Sequence, residues 1–275
     1  MSSTGKKIAV IGGGVAGLLA AVTAADHGAK VLLLEKMDKV GLKMGITGKG
    51  RCNLTNNAPI MDFIAMTPGN GRFLFSAYKR FNNMDLLSLF HTWGLETKVE
   101  RGGRIFPTSD DAQEVRHLFM RLLHEKQVDV HLSEPVLHIQ TKKGCAAGVI
   151  TGKGTYKADA VILATGGKSY PRTGSTGDGY RLAGELGHTV TKIRPALIPL
   201  VCAEPYCREL QGLSLKNVTL ALAAGERRKS EAFGEMIFTH FGISGPIVLT
   251  QSDVVTLWLS QGLSLIHISE PTRPY

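Results

Sequence analysis

The chain has 275 residues, of which 43% are hydrophobic and 20% charged; this composition supports a buried core and argues against a disordered chain. Its 32 glycines form short clusters without a repeat, which excludes a collagen-like protein. The four cysteines, Cys52, Cys145, Cys202 and Cys207, lack metal-type spacing. They therefore argue against both a disulfide scaffold and a zinc site, and no metal is expected.

The net charge of +9 is concentrated in two glycine-rich blocks. Residues 1–57 carry eight Lys/Arg against three Asp/Glu, and residues 141–194 carry nine against three. A nucleic-acid surface would interleave such charge with stacking aromatic residues, and these blocks contain only Tyr156, Tyr170 and Tyr180. Phosphate groups of a bound cofactor explain the charge better, so no nucleic-acid partner is expected.

The first 35 residues predict a βαβ unit. Lys7–Ile11 is an apolar run typical of a buried parallel strand, residues 14–27 have helical spacing with Gly28 as the stop, and residues 30–35 form a second strand. The basic and apolar start resembles a signal peptide, but glycines interrupt it and it continues directly into the second strand. No later apolar run approaches the ~18 residues of a membrane span, so we expect a cytoplasmic protein without a membrane partner.

The turn of this unit carries a dinucleotide-binding motif, Gly12-x-Gly14-x-x-Gly17. Gly12 permits the tight turn, Gly14 lets backbone amides approach a pyrophosphate, and Gly17 lets the helix and strand pack closely. Glu35 ends the second strand, where a carboxylate accepts hydrogen bonds from ribose hydroxyls. The alternative is a chance glycine cluster in an ordinary turn.

A long loop rich in Gly, Lys and Asn follows from residue 36 to 57, and residues 45–56 read GITGKGRCNLTN. Its exposed backbone amides and the cations Lys43, Lys49 and Arg51 suit a pyrophosphate; the alternative is a solvated basic loop. Cys52 is interpreted as a small packing residue, because a redox thiol needs a partner cysteine a few residues away.

The remaining elements alternate helices and strands. Helices are predicted near residues 72–81, 83–93, 110–125 and 179–186, and strands near residues 95–100, 128–132, 136–141, 146–151 and 160–164. Ser109 or Asp110 is the expected N-cap of the third helix. Beyond Pro195 short strands alternate with prolines, which indicates a second, β-rich domain.

The strand at 160–164 leads into TGG (165–167) and GSTGDGY (174–180). These glycines and hydroxyls could pack against a cofactor or its phosphates. Asp178 has two interpretations, a cofactor contact or simply the N-cap of the following helix.

Several longer strings occur in the order typical of one bacterial family: IGGGVAGLLAA, GKGRCNLTN, GRIFPTSDDAQEV, VILATGGKSYPRTGSTGDGYRLAGELGH and FTHFGISGP. The chain resembles the YhiN-like NAD(P)/FAD-dependent oxidoreductases, which include a dehydro-bile-acid reductase of the BaiN type. The resemblance implies an α/β fold: a Rossmann-like FAD-binding domain of the two-dinucleotide-binding flavoprotein type with a β-rich insert, incomplete at its C-terminus. The cofactor-binding residues that it implies are Gly12, Gly14, Gly17, Glu35, Lys36, Lys43, Thr47, Gly48, Arg51, Cys52, Asn53, Val136, Thr165, Gly166, Gly177 and Asp178.

The chain departs from the family pattern at three places. Leu42 stands where the family usually has Arg, and Lys49 replaces a glycine. The final residues, LSLIHISEPTRPY, resemble translated sequencing adapter. We expect an FAD-binding domain at 1–194, the start of a β-rich substrate domain at 195–262, and a non-native tail at 263–275 on a truncated chain.

The resemblance implies a flavoenzyme that reduces an activated double bond of a small organic substrate, with NAD(P)H as the electron donor. His240, Arg104 and Tyr170 are weak candidates for a catalytic acid, each with a purely structural alternative, so the catalytic residue is left unassigned. The alternative function is an FAD- or NAD-binding module without catalysis. The oligomeric state is left open.

Overall fold

A computed structural model describes residues 5–224, 228–263 and 266–271. The chain divides into two compact units, with the boundary between Val190 and Thr191. Each unit has its own hydrophobic cluster, as expected of segments that bury separate cores.

The first unit is built on a four-stranded parallel sheet. It comprises β1 (Lys7–Ile11), β2 (Lys30–Leu34), β6 (Asp129–His131) and β10 (Ala160–Leu163), in the order β10-β1-β2-β6. Helix α1 (Val15–Asp26) crosses between β1 and β2. The fold is therefore the predicted Rossmann type, in which the strand ends and the α1 N-terminus meet at one edge.

Both faces of this sheet are covered, because neighbouring residues of a strand point to opposite sides. Val10 and Leu33 belong to a core cluster shared with α1 and with α5 (Ala112–Glu125). Ile11 and Leu34 belong to a cluster on the other side that includes Val149. This double burial explains why the strands read as continuous apolar runs.

The other elements of the first unit surround the sheet. They are β3 (Thr55–Asn56), α2 (Ile60–Met66), α3 (Phe75–Arg80), α4 (Asn83–Thr92), β4 (Thr97–Val99), β5 (Arg104–Pro107), β7 (Val136–Lys142), β8 (Cys145–Thr151), β9 (Thr155–Lys157) and α6 (Asp178–Glu185). Two three-stranded sheets form, β3-β5-β4 and β7-β8-β9. The stretch predicted as a loop from residue 36 to 57 contains β3 and 3₁₀ turns over Met44–Gly50.

Two helix starts differ from the sequence prediction. The N-cap of α5 is Asp111, whose carboxylate accepts from the Gln113 backbone N–H at 2.8 Å; Ser109 and Asp110 instead bond Glu114 and Lys98. The N-cap of α6 is Gly177, so the N-cap interpretation of Asp178 was wrong. The carboxylate of Asp178 is held instead by Lys36 Nζ, a cation that competes with the backbone amides.

The second unit is a five-stranded antiparallel sheet with two helices. Its elements are β11 (Leu200–Val201), α7 (Tyr206–Glu209), β12 (Ser214–Ala224), β13 (Arg228–Thr239), β14 (Gly242–Ser244), α8 (Pro246–Ser260) and β15 (Ile266–Pro271), with strand order β11-β14-β13-β12-β15. Helix α8 was not predicted, because its buried face includes the polar Gln251 and Ser252 while Leu257 and Leu259 are exposed, which obscures the 3.6-residue apolar period.

The backbone of β15 pairs antiparallel with β12. This segment belongs to the tail at 263–275, which shows no periodicity of its own; ladder hydrogen bonds join backbone groups and need no side-chain pattern. The rest of that tail, apart from Leu263, lies outside the described residues.

Candidate dinucleotide-binding site

The glycine motif forms a tight turn between β1 and α1. Gly12 has a φ of +104°, and a Cβ on Gly17 would lie 1.8 Å from the Gly12 carbonyl oxygen. Only glycine therefore allows the helix to approach the turn this closely. A Cβ on Gly14 would meet nothing within 4 Å, and no side chain caps α1. The first N–H groups of α1 thus face open space suited to an anion.

The Glu35 carboxylate lies beside this turn with only 9% of the residue exposed. Its Oε2 accepts from the Gly13 backbone N–H at 2.6 Å, and its Oε1 accepts from the Met37 N–H at 2.8 Å. Each carboxylate oxygen can accept a second hydrogen bond. Glu35 therefore fixes the turn and retains capacity for ligand hydroxyls.

A cavity of about 930 Å³ opens above the turn, within the size range of cofactor sites. It brings together nine of the residues predicted to bind the cofactor: Gly12, Gly14, Glu35, Lys43, Thr47, Cys52, Asn53, Thr165 and Gly166. They come from β1, β2, the 36–57 segment and the stretch after β10. Segments far apart in sequence thus converge on one space.

Part of the cavity lining is apolar, and sequence analysis missed most of it. We call this part the apolar wall: Leu54, Phe81, Leu86, Phe90, Val115 and Phe119. Phe90 and Phe119 pack edge to face with ring centroids 6.1 Å apart. Lys39 also lines the cavity and was not predicted, whereas Ser175 and Tyr180, which line it too, belong to the GSTGDGY stretch expected to pack against a cofactor. A planar ring would be sheltered from water against the apolar wall.

A second cavity, of about 30 Å³, shares Gly12, Glu35, Thr165 and Gly174 with the first. The predicted residues Lys36, Val136 and Asp178 line it. Lys36 Nζ donates to Asp178 Oδ2 at 2.6 Å and to Thr176 Oγ1 at 2.5 Å. Burial raises the Asp178 pKa, but the bond from Lys36 outweighs it and holds the pKa below its usual value. The two cavities adjoin at Glu35, and the second has only about the volume of one water molecule.

Cys52 lines the large cavity but is 3% exposed, with a φ of +63°. Burial raises the pKa of its thiol, so the sulfur is protonated at neutral pH and is a poor nucleophile. All four cysteines of the chain are free. These properties agree with a packing role for Cys52.

Four other predicted residues do not line either cavity. Arg51 is held by ion pairs to Glu100 at 2.7 Å and Asp110 at 3.3 Å, and its guanidinium stacks over Phe106. Gly48 packs so tightly that a Cβ would lie 2.7 Å from the Phe106 ring. Gly17 contacts the glycine turn from behind, and Gly177 caps α6. These four residues therefore contact other parts of the protein around the site and do not face the cavities.

Two of the candidate catalytic acids, Arg104 and Tyr170, belong to the first unit. Arg104 donates to the Arg101 carbonyl, and Tyr170 is 66% exposed with a φ of +53°; neither lines a cavity described above. His240 belongs to the second unit, where its ring packs edge to face on Phe241. No group of three or more His, Cys, Asp or Glu side chains suited to a metal occurs in the described part of the chain. Nor does any helix within those residues have the length and apolar character needed to cross a bilayer.

The chain is similar to known proteins over most of its length. The chain is 36% identical over 260 residues to a 3-dehydro-bile acid Δ(4,6)-reductase of Clostridium scindens, covering 93% of this chain and 62% of the relative. It is 30% identical over 246 residues to the ribosomal RNA dihydrouridine synthase of Escherichia coli, covering 87% of this chain and 58% of the relative. The chain thus spans about three fifths of the length of these relatives.

Among solved structures, Mycobacterium smegmatis Sdh1 in its apo form superposes with a TM-score of 0.51 at 19% identity, over 66% of this chain and 39% of that one. A likeness at this identity concerns the fold alone. Residues 6–264 match the family described as HI0933-like protein Rossmann domain. The chain therefore belongs to the family of the HI0933-like protein Rossmann domain.

Proposed function

We propose that the protein binds FAD and reduces a carbon–carbon double bond activated by a neighbouring carbonyl group, with NAD(P)H as the electron donor and a small organic molecule as the substrate. The observation that carries the proposal is one continuous site that joins an open glycine turn to an apolar wall. A dinucleotide with phosphates in its middle and a planar ring at one end matches this division. Both relatives above have names that denote a reduction.

The residues present fit FAD on structural grounds. The space beyond Gly14 is open, the α1 amides have no side-chain cap, and Glu35 retains acceptor capacity. The turn would hold the pyrophosphate, Glu35 would accept from the ribose, and Lys43 would add positive charge beside the phosphates. When bound, FAD supplies hydride transfer, while the protein orients the ring and excludes water.

An absorbance and reduction experiment tests this proposal. The purified chain, supplied with FAD, is expected to show the bands of bound oxidised flavin near ~450 nm. Anaerobic NADPH or NADH should bleach these bands, and an enone such as a 3-oxo-Δ4 steroid should restore them. Absence of bound flavin would contradict FAD binding. Flavin bands that persist with both NADPH and NADH would contradict the proposal that NAD(P)H is the electron donor.

The alternative is a module that binds FAD without catalysis. It shares the turn and Glu35 with the enzyme, so binding does not separate the two. Bound FAD that is reduced only by dithionite and is not reoxidised by any enone would favour the module.

A second candidate substrate is a uridine within RNA, and segment 72–81, reading RFLFSAYKRF, favours it. This segment lies outside the two basic blocks. Phe73 is 79% exposed and Phe75 47%, and Arg72, Lys79 and Arg80 are exposed beside them. Exposed rings stack on unpaired bases while cations contact phosphates. Phe81, at the end of the segment, lines the large cavity.

Fluorescence anisotropy with an unpaired, uridine-rich RNA tests this candidate. RNA binding should weaken about tenfold when Phe73 and Phe75 are both changed to Ala. The control is Phe233→Ala, which removes another exposed ring, on the second unit. A two-dalton mass gain of uridine after incubation with NADPH would identify the product; equal RNA affinity of both variants would remove the candidate.

A further inference from the structure

The buried carboxylate of Glu134 is the most densely bonded acidic group near the site, and the sequence analysis gave it no role. Its Oε1 accepts from Thr151 Oγ1 and Tyr156 Oη, both at 2.7 Å. Its Oε2 accepts from His131 Nδ1 at 3.0 Å and lies 3.3 Å from Lys153 Nζ. Four donors from other residues therefore converge on one side chain.

These donors belong to different layers of the fold. His131 ends β6 of the parallel sheet, Thr151 ends β8, and Tyr156 lies in β9 of the antiparallel sheet. Glu134 itself stands between β6 and β7. The carboxylate thus fastens the β7-β8-β9 sheet to the edge of the parallel sheet.

Glu134 is 2% exposed, and a buried carboxylate is tolerated only when it is well bonded. Burial alone raises its pKa, but the bonds from Thr151, Tyr156, Lys153 and His131 outweigh that effect and lower the pKa to about 2. The group is therefore charged at neutral pH and holds its donors with charge-assisted hydrogen bonds.

The same segment forms a wall of the small cavity. Glu134 N–H donates to the Glu35 carbonyl at 2.9 Å, and Ser133 N–H donates to the Met37 carbonyl at 2.9 Å. Glu134 and Val136 line that cavity opposite Lys36. The hydrogen bonds that hold Glu134 in place therefore also hold this cavity wall and the backbone of Glu35 in place.

We infer that Glu134 is a positioning residue for the adenosine half of the bound dinucleotide. This inference rests on the proposed function, because it takes FAD as the ligand. Glu134 acts by holding the segment 133–136 against the end of β2, and thereby holds the backbone of Glu35, the proposed acceptor for the ribose. The flavin half, beside the apolar wall, is positioned by other residues.

The experiment measures FAD and ADP affinity on the full chain, with ADP as a probe of the adenosine half. Glu134→Gln should weaken FAD and ADP binding by the same factor, about tenfold or more, which corresponds to at least about 1.4 kcal/mol. At saturating FAD, the visible spectrum and the rate of reduction by NAD(P)H should be unchanged. Tyr156→Phe, which removes one donor, should show the same pattern with a factor of about three.

The matched control is Thr155→Val, which changes an exposed threonine of the same sheet and should leave both affinities unchanged. Wild-type ADP affinity in Glu134→Gln and Tyr156→Phe would overturn the inference while leaving the proposed function intact. A changed spectrum or reduction rate at saturating FAD would also overturn it, because the effect would then not be confined to the adenosine half. A wild-type chain that binds neither FAD nor ADP would overturn both proposals.

Discussion

The glycine turn and the apolar wall face the same cavity but are built in opposite ways. The turn with Glu35 comes from 24 consecutive residues, and backbone contacts decide its shape. The apolar wall is assembled from the 36–57 segment, the residue after α3, α4 and α5, and side-chain packing decides its shape. Local sequence therefore determines one wall, and the tertiary fold determines the other.

The largest effect is expected at the apolar wall. Phe119 is fully buried and packs on Phe90 and Trp93, so Phe119→Ala should lower the free energy of unfolding by about 3–5 kcal/mol. Urea unfolding of the ligand-free chain measures this. Met120→Ala, on the exposed side of the same helix, should change it by about 0.5 kcal/mol or less. Similar losses in both variants would contradict the assignment of Phe119 to the core.

The turn should respond to added rather than removed volume. Gly17→Ala places a Cβ 1.8 Å from a backbone oxygen that cannot rotate away, and we expect a loss of about 3 kcal/mol. Gly184 offers the comparison, because it lies inside α6 with no atom within 4 Å of its added Cβ. Gly184→Ala should stabilise by about 0.5–1 kcal/mol in the same urea measurement. A stable Gly17→Ala protein would mean that helix and turn are less tightly packed.

This contrast explains which parts of the site could be predicted from the sequence. The βαβ unit, its glycines and Glu35 were predictable, because the spacing of the motif itself produces the geometry. Phe81, Phe90 and Phe119 were predictable only as helix residues, since nothing local shows which helices meet over the cavity. Helix α8 was missed for lack of a period. The missed cavity residues have a different cause: the contacts that decide their position lie far away along the chain.

Arg51 illustrates the same limit at a single residue. The sequence places it in a basic loop with Lys43, and local charge gives both the same expected role. In the folded chain Lys43 lines the cavity, whereas Arg51 bonds Glu100 and Asp110 from distant segments. A basic residue near a motif therefore predicts a phosphate contact only when its side chain does not form an ion pair with an acidic residue elsewhere in the fold.

Low pH should reduce the stabilisation that Glu134 provides and leave the stabilisation by the apolar wall unchanged. The pKa of Glu134 is lowered from 4.5 in the unfolded chain to about 2 in the folded one. The stabilisation is therefore complete above pH 4.5 and is lost as the pH falls toward 2. Because other carboxylates titrate too, the measurement is the difference between wild type and Glu134→Gln. That difference should shrink by about 2–3 kcal/mol between pH 6 and pH 2.5. A pH-independent difference would show that the pKa of this carboxyl is the same in the folded and the unfolded protein.

The smallest stability effect is expected for the Lys36–Asp178 pair, which closes the small cavity at 2.6 Å. Both side chains are partly exposed, so Lys36→Met should change the free energy of unfolding by no more than about 1 kcal/mol. The affinity of this variant for ADP should nevertheless fall several-fold, because Lys36 directly follows Glu35, the proposed acceptor for the ribose. The matched control is Lys126→Met, which breaks a similarly exposed pair with Asp26 at 2.5 Å away from either cavity. If both variants change the free energy of unfolding equally but only Lys36→Met loses ADP affinity, Lys36 faces the ligand whereas Lys126 has a purely structural role. Equal ADP affinity in the two variants would assign Lys36 to the fold, as already observed for Arg51.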